Sequence, residues 1–164
     1  MNIRMLKVKY KKLVVKILQI VFIFFSLFYV IYRPLFITKV VGVSMLPTYK
    51  EGQYVFATNL DKNYYVGDVV LIRHNSETLI KRVAYTSGQK ILCADLGIRS
   101  YALLPPMKNV DKQISYLKKH GIKAFIFQIP KDHVFVIGDN ESASEDSRNF
   151  GPIEVSEIFA KVIE

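Results

Sequence analysis

The segment GVSMLPTY, over residues 42–49, contains one serine that could do chemistry, Ser44. The three histidines of the chain, His74, His120 and His133, are all distant from it in sequence. A serine hydroxyl is a poor nucleophile until a base takes its proton, and histidine is the usual base. Ser44 is therefore either an ordinary turn serine or a nucleophile that uses another base.

A lysine in a strand-like segment is the candidate base. In LIKRV, strand alternation turns Leu79, Lys81 and Val83 to one face, which is apolar apart from the lysine. Arg82 takes the opposite, wetter face. Free lysine has a pKa near 10.4, and burial among apolar groups lowers this pKa by up to several units. A neutral Lys81 amine could then accept the hydroxyl proton of Ser44.

A dense polar loop, GDNESASEDSRNFG over residues 138–151, follows the apolar run VFVI. Ser144 can supply a hydroxyl that aims a neutral lysine, and Asp146 and Arg148 can pair to brace the loop. Taken singly, these motifs have ordinary interpretations as a turn serine, a solvated strand lysine and an exposed loop. Taken together, they favour a serine nucleophile with a lysine base.

These residues need a scaffold, and the sequence pattern favours short strands. Strands are predicted over residues 35–43, 52–58, 69–73, 78–85, 89–94, 124–129 and 133–137. Helical spacing over residues 111–120 lies within a short variable insert, residues 97–123, and residues 153–163 fit a short helix or a closing strand. Without βαβ alternation or repeats, the fold class is mainly β, as a small barrel or a pair of packed sheets.

An apolar segment precedes the strands. Residues 17–32 hold no charge, and counting back to Leu13 gives 20 residues interrupted only by Lys16. A helix of about 20 residues spans the roughly 30 Å hydrocarbon core of a bilayer. The alternative is a buried core helix, but the remainder of the chain is too small to surround one. Residues 13–32 are therefore predicted to be a transmembrane anchor.

The charge distribution predicts how this anchor is oriented. Residues 1–33 carry seven basic and no acidic residues, whereas the remainder carries 16 basic and 14 acidic residues, a net charge of +2. A basic flank favours a cytoplasmic N-terminus, so residues 1–12 form a basic cytoplasmic tail and residues 35–164 an extracytoplasmic domain. No small-x-small pattern follows Tyr32, which favours a retained single-pass anchor over a cleaved signal peptide. The nearly neutral outer domain disfavours nucleic acid as a partner.

Cysteine and metal chemistry are not indicated. Cys93 is the only cysteine, so it cannot form an intramolecular disulfide, and it lies in the apolar run KILCAD. No cysteine–histidine cluster has the spacing of a metal site, so neither a metal nor another cofactor is expected.

The motifs, in this order and behind an N-terminal anchor, resemble those of the bacterial type I signal peptidases, peptidase family S26. The resemblance rests on SMLPT at residues 44–48, GDVVLIR at 67–73, IKRV at 80–83, and GDN with SEDSRNFG at 138–140 and 144–151. It implies a signal-peptidase-like catalytic domain at the outer membrane surface, in the short form found in Gram-positive bacteria.

The resemblance also implies roles for individual residues. Ser44 corresponds to the catalytic serine, Lys81 to its lysine base and Ser144 to the serine that orients the lysine, while Asp146 and Arg148 correspond to the bracing pair. The other expected site residues are the supporting Gly138, Asp139 and Asn140 and the substrate-binding Gly42, Met45 and Ile80. Gly42 stands where some family members carry a serine or threonine whose hydroxyl helps to bind the oxyanion.

The function implied is a serine endopeptidase that cleaves secreted preproteins after a small-x-small site, through an acyl-enzyme. Its partners would be these preproteins, the lipid bilayer and the secretion translocon. A dedicated peptidase for pilin or conjugation-type substrates remains an alternative, as does an inactive peptidase-like assembly module. A self-cleaving repressor with a Ser–Lys dyad is disfavoured, because residues 1–33 offer no DNA-binding domain.

Overall fold

The computed structural model describes residues 3–32, 35–95, 101–104 and 110–163. The chain divides into two compact units, residues 1–35 and residues 36–164. The helices are α1 (Ile3–Tyr32), α2 (Val110–Lys119) and α3 (Ser147–Phe150). The strands are β1 (Leu35–Lys39), β2 (Tyr54–Thr58), β3 (Val69–His74), β4 (Glu77–Thr86), β5 (Lys90–Asp95), β6 (Tyr101–Leu104), β7 (Ala124–Gln128), β8 (His133–Ile137), β9 (Ile153–Glu154) and β10 (Ile158–Val162).

The first unit is the helix α1, which contains the predicted anchor. Residues 9–31 form a stretch of 23 residues whose most apolar 18-residue window has a mean hydropathy of 2.5, and none of that window is buried inside the protein. A core helix would be covered by other elements, so the alternative of a buried core helix is not supported. The length and composition of α1 are sufficient to cross a membrane.

The second unit is built on a seven-stranded sheet with the order β1-β2-β10-β3-β4-β8-β9. At its centre, β3 pairs antiparallel with β4 on one side and β10 on the other. The four residues Val69–Ile72 are all buried, because alternate side chains enter two apolar clusters on opposite faces of the sheet. This continuous apolar run explains why β3 lies at the centre and holds β4, the strand of Lys81, in a fixed position.

A second sheet has the order β6-β5-β7. Its inner face, with Ile91 and Cys93, packs against Phe135 of β8 in a third apolar cluster. The predicted mainly β fold with packed sheets is confirmed, and so are most strand positions and the helix of the insert.

Several predicted boundaries were wrong. The first strand ends at Lys39 rather than Val43, because Gly42 has a φ of +81° that an extended strand does not allow. The insert also contributes β6, which was not predicted, and the polar loop contains the short helix α3. The closing segment is strand, as β9 and β10.

Candidate active site

Ser44 lies in a tight turn between β1 and β2. The turn begins at Gly42, whose left-handed φ of +81° favours glycine, and it is closed by a 3.1 Å hydrogen bond from the Leu46 N–H to the Val43 carbonyl oxygen. Within the described part of the chain, neither the hydroxyl nor the backbone N–H of Ser44 has a hydrogen-bond partner. The half-buried Ser44 therefore has both its hydroxyl and its N–H donor uncommitted among the described residues.

The loop that follows β8 docks directly onto this turn. The Asn140 N–H donates a hydrogen bond to the Ser44 carbonyl oxygen at 2.9 Å. The Asn140 side-chain amide donates a second bond to the Val43 carbonyl oxygen at 3.1 Å. Asn140, expected as a supporting residue, thus fixes the backbone of the serine turn.

Gly138 also packs closely against the serine turn. A Cβ atom at position 138 would lie 2.5 Å from the Ser44 carbonyl oxygen and would overlap the side chain of Ser144. Glycine is required here because there is no space for a side chain. The φ of Gly138 is not in the left-handed region, so the backbone conformation is not the reason. The Ser44 carbonyl oxygen and the Ser144 side chain therefore both lie against the side of Gly138 that a Cβ would occupy.

Lys81 is buried in the large sheet, with 4% of its surface exposed. It lies opposite Val70 of β3, and its amine donates no hydrogen bond to a described residue. Burial is the largest influence on the pKa of Lys81 and lowers it, and the positive charge of Arg148 also acts to lower it. The carboxylates of Asp146 and Glu145 act to raise this pKa, but the net change is a lowering. The net lowering shifts Lys81 toward the neutral amine that a general base needs.

Asp146 is fully buried and forms the centre of the polar loop. Its carboxylate accepts hydrogen bonds from Nε and Nη2 of Arg148, each at 2.9 Å, and from the Gly138 N–H at 2.9 Å. Burial alone would raise the pKa of Asp146, but these hydrogen bonds outweigh it and lower the pKa. Asp146 is therefore an anion, and its pairing with Arg148 is present as expected.

The Ser144 hydroxyl is buried between these groups. It lies near enough to the Asp146 carboxylate to contribute to lowering the pKa of that group. The geometry falls short of a hydrogen bond, however, and Ser144 Oγ has no hydrogen-bond partner among the described residues. A buried hydroxyl without a partner is costly, so a role in binding a further group would account for it.

Arg82 was not among the expected site residues, yet it links three of the motifs. Its Nε and Nη2 donate to the two carboxylate oxygens of Asp139 at 2.9 and 2.8 Å, and its Nη1 donates to the Gly67 carbonyl oxygen at 2.7 Å. The pKa of Asp139 is lowered mainly by this contact with Arg82, and the Thr48 hydroxyl contributes to the lowering. Arg82 was expected on a solvated face, but it is half-buried and ion-paired. The adjacency of Arg82 to Lys81 was the one sequence signal of this role.

Two of the expected substrate-binding residues lie under the surface. Met45 is fully buried and Ile80 is 8% exposed, and both belong to the same apolar cluster. Since Met45 follows Ser44 and Ile80 precedes Lys81, this cluster joins the serine turn to the lysine strand from below. Gly42 has no atom within 4 Å of the position that a side chain would take, so the space beside it is open.

Each histidine is engaged elsewhere. His74 pairs with Glu157 at 2.8 Å, and the ring nitrogens of His120 and His133 lie 2.8 Å from the carbonyl oxygens of Tyr116 and Lys131. Among the described residues, no cluster of histidine, cysteine or carboxylate side chains has the arrangement of a metal site. None of these contacts brings a histidine to Ser44.

Comparison with known proteins gives a match to a family model and matches to individual relatives. The family model described as "Signal peptidase, peptidase S26" matches residues 10–164. Signal peptidase I V of Bacillus subtilis is 33% identical over 137 residues, which cover 76% of this chain and 81% of that protein. The mitochondrial ATP-independent inner membrane protease subunit 1b of Arabidopsis thaliana is 33% identical over 135 residues, covering 78% of this chain and 68% of that protein.

Among solved structures, a signal peptidase I from Enterococcus faecalis aligns with 62% of this chain and 97% of its own length. The sequence identity is 18% and the TM-score is 0.40.

Proposed function

This chain belongs to the signal peptidase family, peptidase S26, and on that basis we propose that it is a membrane-anchored serine endopeptidase that cleaves signal peptides from secreted preproteins. The observation that carries this proposal is the packing at Gly138. The position that a Cβ on Gly138 would take lies against both the Ser44 carbonyl oxygen and the Ser144 side chain, and the Gly138 N–H donates to Asp146. Ser44, Ser144 and Asp146 thus meet at Gly138, and the charge of Asp146 acts on the pKa of Lys81.

In the proposed reaction, Lys81 starts as a neutral amine. It takes the proton of the Ser44 hydroxyl as Ser44 Oγ attacks the scissile carbonyl carbon. The resulting ammonium then donates this proton to the leaving amine as the peptide bond breaks and an acyl-enzyme ester forms. In the second half, Lys81 deprotonates a water molecule that attacks the ester, and Ser44 recovers its proton as the signal peptide is released.

The backbone N–H of Ser44 is the proposed donor to the oxyanion. It is uncommitted among the described residues, and it is part of a turn that the Asn140 hydrogen bond to the Ser44 carbonyl holds in place. A preorganised donor stabilises the developing charge without reorganisation during the reaction. In our proposal, the buried Ser144 hydroxyl accepts a hydrogen bond from Lys81 and orients its amine.

The edge of β4 offers a binding place for an extended substrate. β8 pairs with β4 only from Arg82 to Thr86, so residues 77–81 have a strand partner, β3, on one side only among the described strands. We propose that the substrate adds as a strand between this edge and residues 38–43. Ile80 would form part of the floor beneath the substrate, with the fully buried Met45 supporting it from below, and a shallow floor would accept only small side chains, as at a small-x-small site.

We further propose a single-pass topology, with residues 1–12 in the cytoplasm, residues 13–32 in the bilayer and residues 35–164 outside. The basic flank of α1 and its membrane-length apolar segment support this orientation. Preproteins would then reach the site as they emerge from the secretion translocon. A dedicated role toward pilin or conjugation-type substrates would use the same residues. An inactive assembly module would not require a serine at position 44 and a lysine at position 81, and both are present in this chain.

The test is cleavage of a preprotein with an Ala-x-Ala site by the full chain in lipid nanodiscs. We expect one cut directly after the second alanine, located by mass spectrometry of the mature product. A substrate with bulky residues in place of both alanines is the matched control and should remain uncut. If both substrates are cut equally, the proposed specificity is wrong.

A further inference from the structure

A pocket separate from the serine–lysine site lies where the second sheet meets α3. Its volume is about 270 Å³. The side chains that line it are mainly aromatic or apolar: Cys93, Phe125, Phe127, Phe135, Phe150 and Pro152. We propose that this pocket is a binding site for small uncharged aromatic molecules that carry a hydrogen-bond acceptor.

The walls of the pocket follow from the sheet register. Cys93 of β5 lies directly opposite Phe125 of β7, and Phe127 lies two residues further along β7, so all three side chains share one face. Phe135 faces them from β8 of the large sheet. The pocket is therefore bounded by two packed layers, and its shape is fixed by strand pairing rather than by loops alone.

The fourth wall is α3 and the residues after it. The Ser147 hydroxyl accepts a 3.0 Å hydrogen bond from the Val136 N–H, which fixes the start of α3 to the strand beneath it. The ring of Phe150 packs against His74 with ring centroids 4.5 Å apart, which holds the end of the helix. These contacts at both ends give the pocket a preformed wall.

The lining determines the class of ligand. None of the described lining residues carries a charge, so an anionic or cationic ligand would lose its hydration without gaining a partner. Phenyl rings favour edge-to-face contacts with another aromatic ring. A cavity of about 150 Å³ suffices for benzene, so this pocket has room for one or two fused rings.

One polar side chain on the rim gives the ligand an orientation. The Asn149 side-chain oxygen accepts a 3.2 Å hydrogen bond from the Asp146 N–H, which assigns its amide nitrogen to the other side. Among the described residues this nitrogen has no acceptor, and because Asn149 is exposed, it is hydrated when the pocket holds no ligand. A ligand with a carbonyl oxygen would take the place of that water, and an aryl ketone is the simplest molecule of this kind.

The test uses the single cysteine of the chain as a reporter of occupancy. Cys93 lines the pocket, so the rate of its modification by methyl methanethiosulfonate reports on this site alone. With the full chain in nanodiscs, 1-indanone should slow this reaction in a saturable manner. The reaction should be about tenfold slower at ten times the half-protecting concentration. Indane-1-carboxylate, of similar shape but charged, should not protect.

Two variants distinguish pocket binding from partition into lipid. Phe125→Trp places more volume at the pocket wall and should abolish protection, whereas Phe56→Trp, the same change at an exposed position on β2, should leave protection unchanged. Asn149→Asp keeps the oxygen that caps Asp146 and removes the amide donor, so it should weaken protection even if Phe125→Trp fails to fold. Non-saturable protection, equal protection by the carboxylate, or full protection in Asn149→Asp would overturn the proposal.

Discussion

The Asn140 N–H donates a 2.9 Å hydrogen bond to the carbonyl oxygen of Ser44, and this bond joins two segments that are far apart in the chain. The Asn140 side chain adds a bond to Val43, and Gly138 packs against the same carbonyl. The position of the proposed nucleophile thus depends on the loop after β8 as much as on its own turn. Substitutions in that loop should act on the reaction through geometry.

Lys81→Met should abolish cleavage while the protein remains folded. A positioned general base contributes about 10²–10⁴-fold to the rate, and methionine has no basic group. The pKa of Lys81 is lowered by burial, so between this lowered pKa and pH ~10.4 the unfolded state binds more protons than the folded state. The free energy of unfolding therefore falls as the pH is lowered through this range, and the cost of the buried lysine is fully present below it. We therefore expect the midpoint of thermal unfolding at pH 7 to be unchanged or higher.

The control for Lys81→Met is Lys50→Met, at an exposed position near the serine turn, which should cleave at the wild-type rate. Retained activity in Lys81→Met, or loss of activity in both variants, would show that Lys81 is not the base.

The pH dependence of cleavage should follow the neutral form of Lys81. Because its pKa is lowered by burial, the rate should rise with pH and level off below the usual range of lysine. The carboxylate of Glu145 acts to raise this pKa, so Glu145→Gln should lower the pKa and move the rising limb to lower pH. Single-turnover rates across pH 5–10 would measure the shift, with Glu154→Gln at an exposed, unrelated site as the control. A limb that moves to higher pH in Glu145→Gln would contradict this assignment.

Gly138→Ala should reduce cleavage strongly, since the added methyl group has no space. It would lie 2.5 Å from the Ser44 carbonyl oxygen and would overlap Ser144, so the loop must move away from the serine turn. Overpacking of this kind costs about 1–3 kcal/mol of stability. Ser87→Ala, at an exposed position between β4 and β5, is the control. Wild-type kcat in a folded Gly138→Ala protein would show that this contact is not needed.

Arg82→Lys should lower kcat with little effect on KM. Lysine cannot reproduce the paired hydrogen bonds from Arg82 to Asp139, so the loop that starts at Gly138 would be held less firmly against β4. A displacement of about 1 Å can cost about 10²-fold in rate. Arg73→Lys, at an exposed position on β3, is the control. A change confined to KM would instead indicate that Arg82 acts on substrate binding.

The positions of the buried strands could be predicted from the sequence because an alternating apolar pattern is compatible with few structures other than a strand. β3 and β4 lie where the runs VVLIR and TLIKRVAY place them, and the burial of Lys81 followed from its apolar neighbours on the strand. The end of β1 was predicted too late, because its apolar residues continue past Lys39 although Gly42 turns the backbone.

Other features depend on partners distant in the sequence. Pairing of Arg82 with Asp139 requires knowing that β4 and β8 are neighbours, and no local pattern reveals that pairing. The close packing of Gly138 against Ser44 also depends on a partner distant in the sequence, so the local sequence does not distinguish Gly138 from an ordinary turn glycine. The full burial of Met45 likewise reflects the packing of the turn onto the sheet.

The most direct test of the proposed serine–lysine reaction compares the wild-type chain with Ser44→Ala and Ser44→Cys on a preprotein with an Ala-x-Ala site. The wild type should release the mature protein, and rapid quenching should trap the signal peptide as an ester on Ser44. Ser44→Ala should neither cleave nor trap the peptide, and Ser44→Cys should restore a trapped acyl group as a thioester. Cleavage by Ser44→Ala at the wild-type rate would contradict the assignment of Ser44 as the nucleophile.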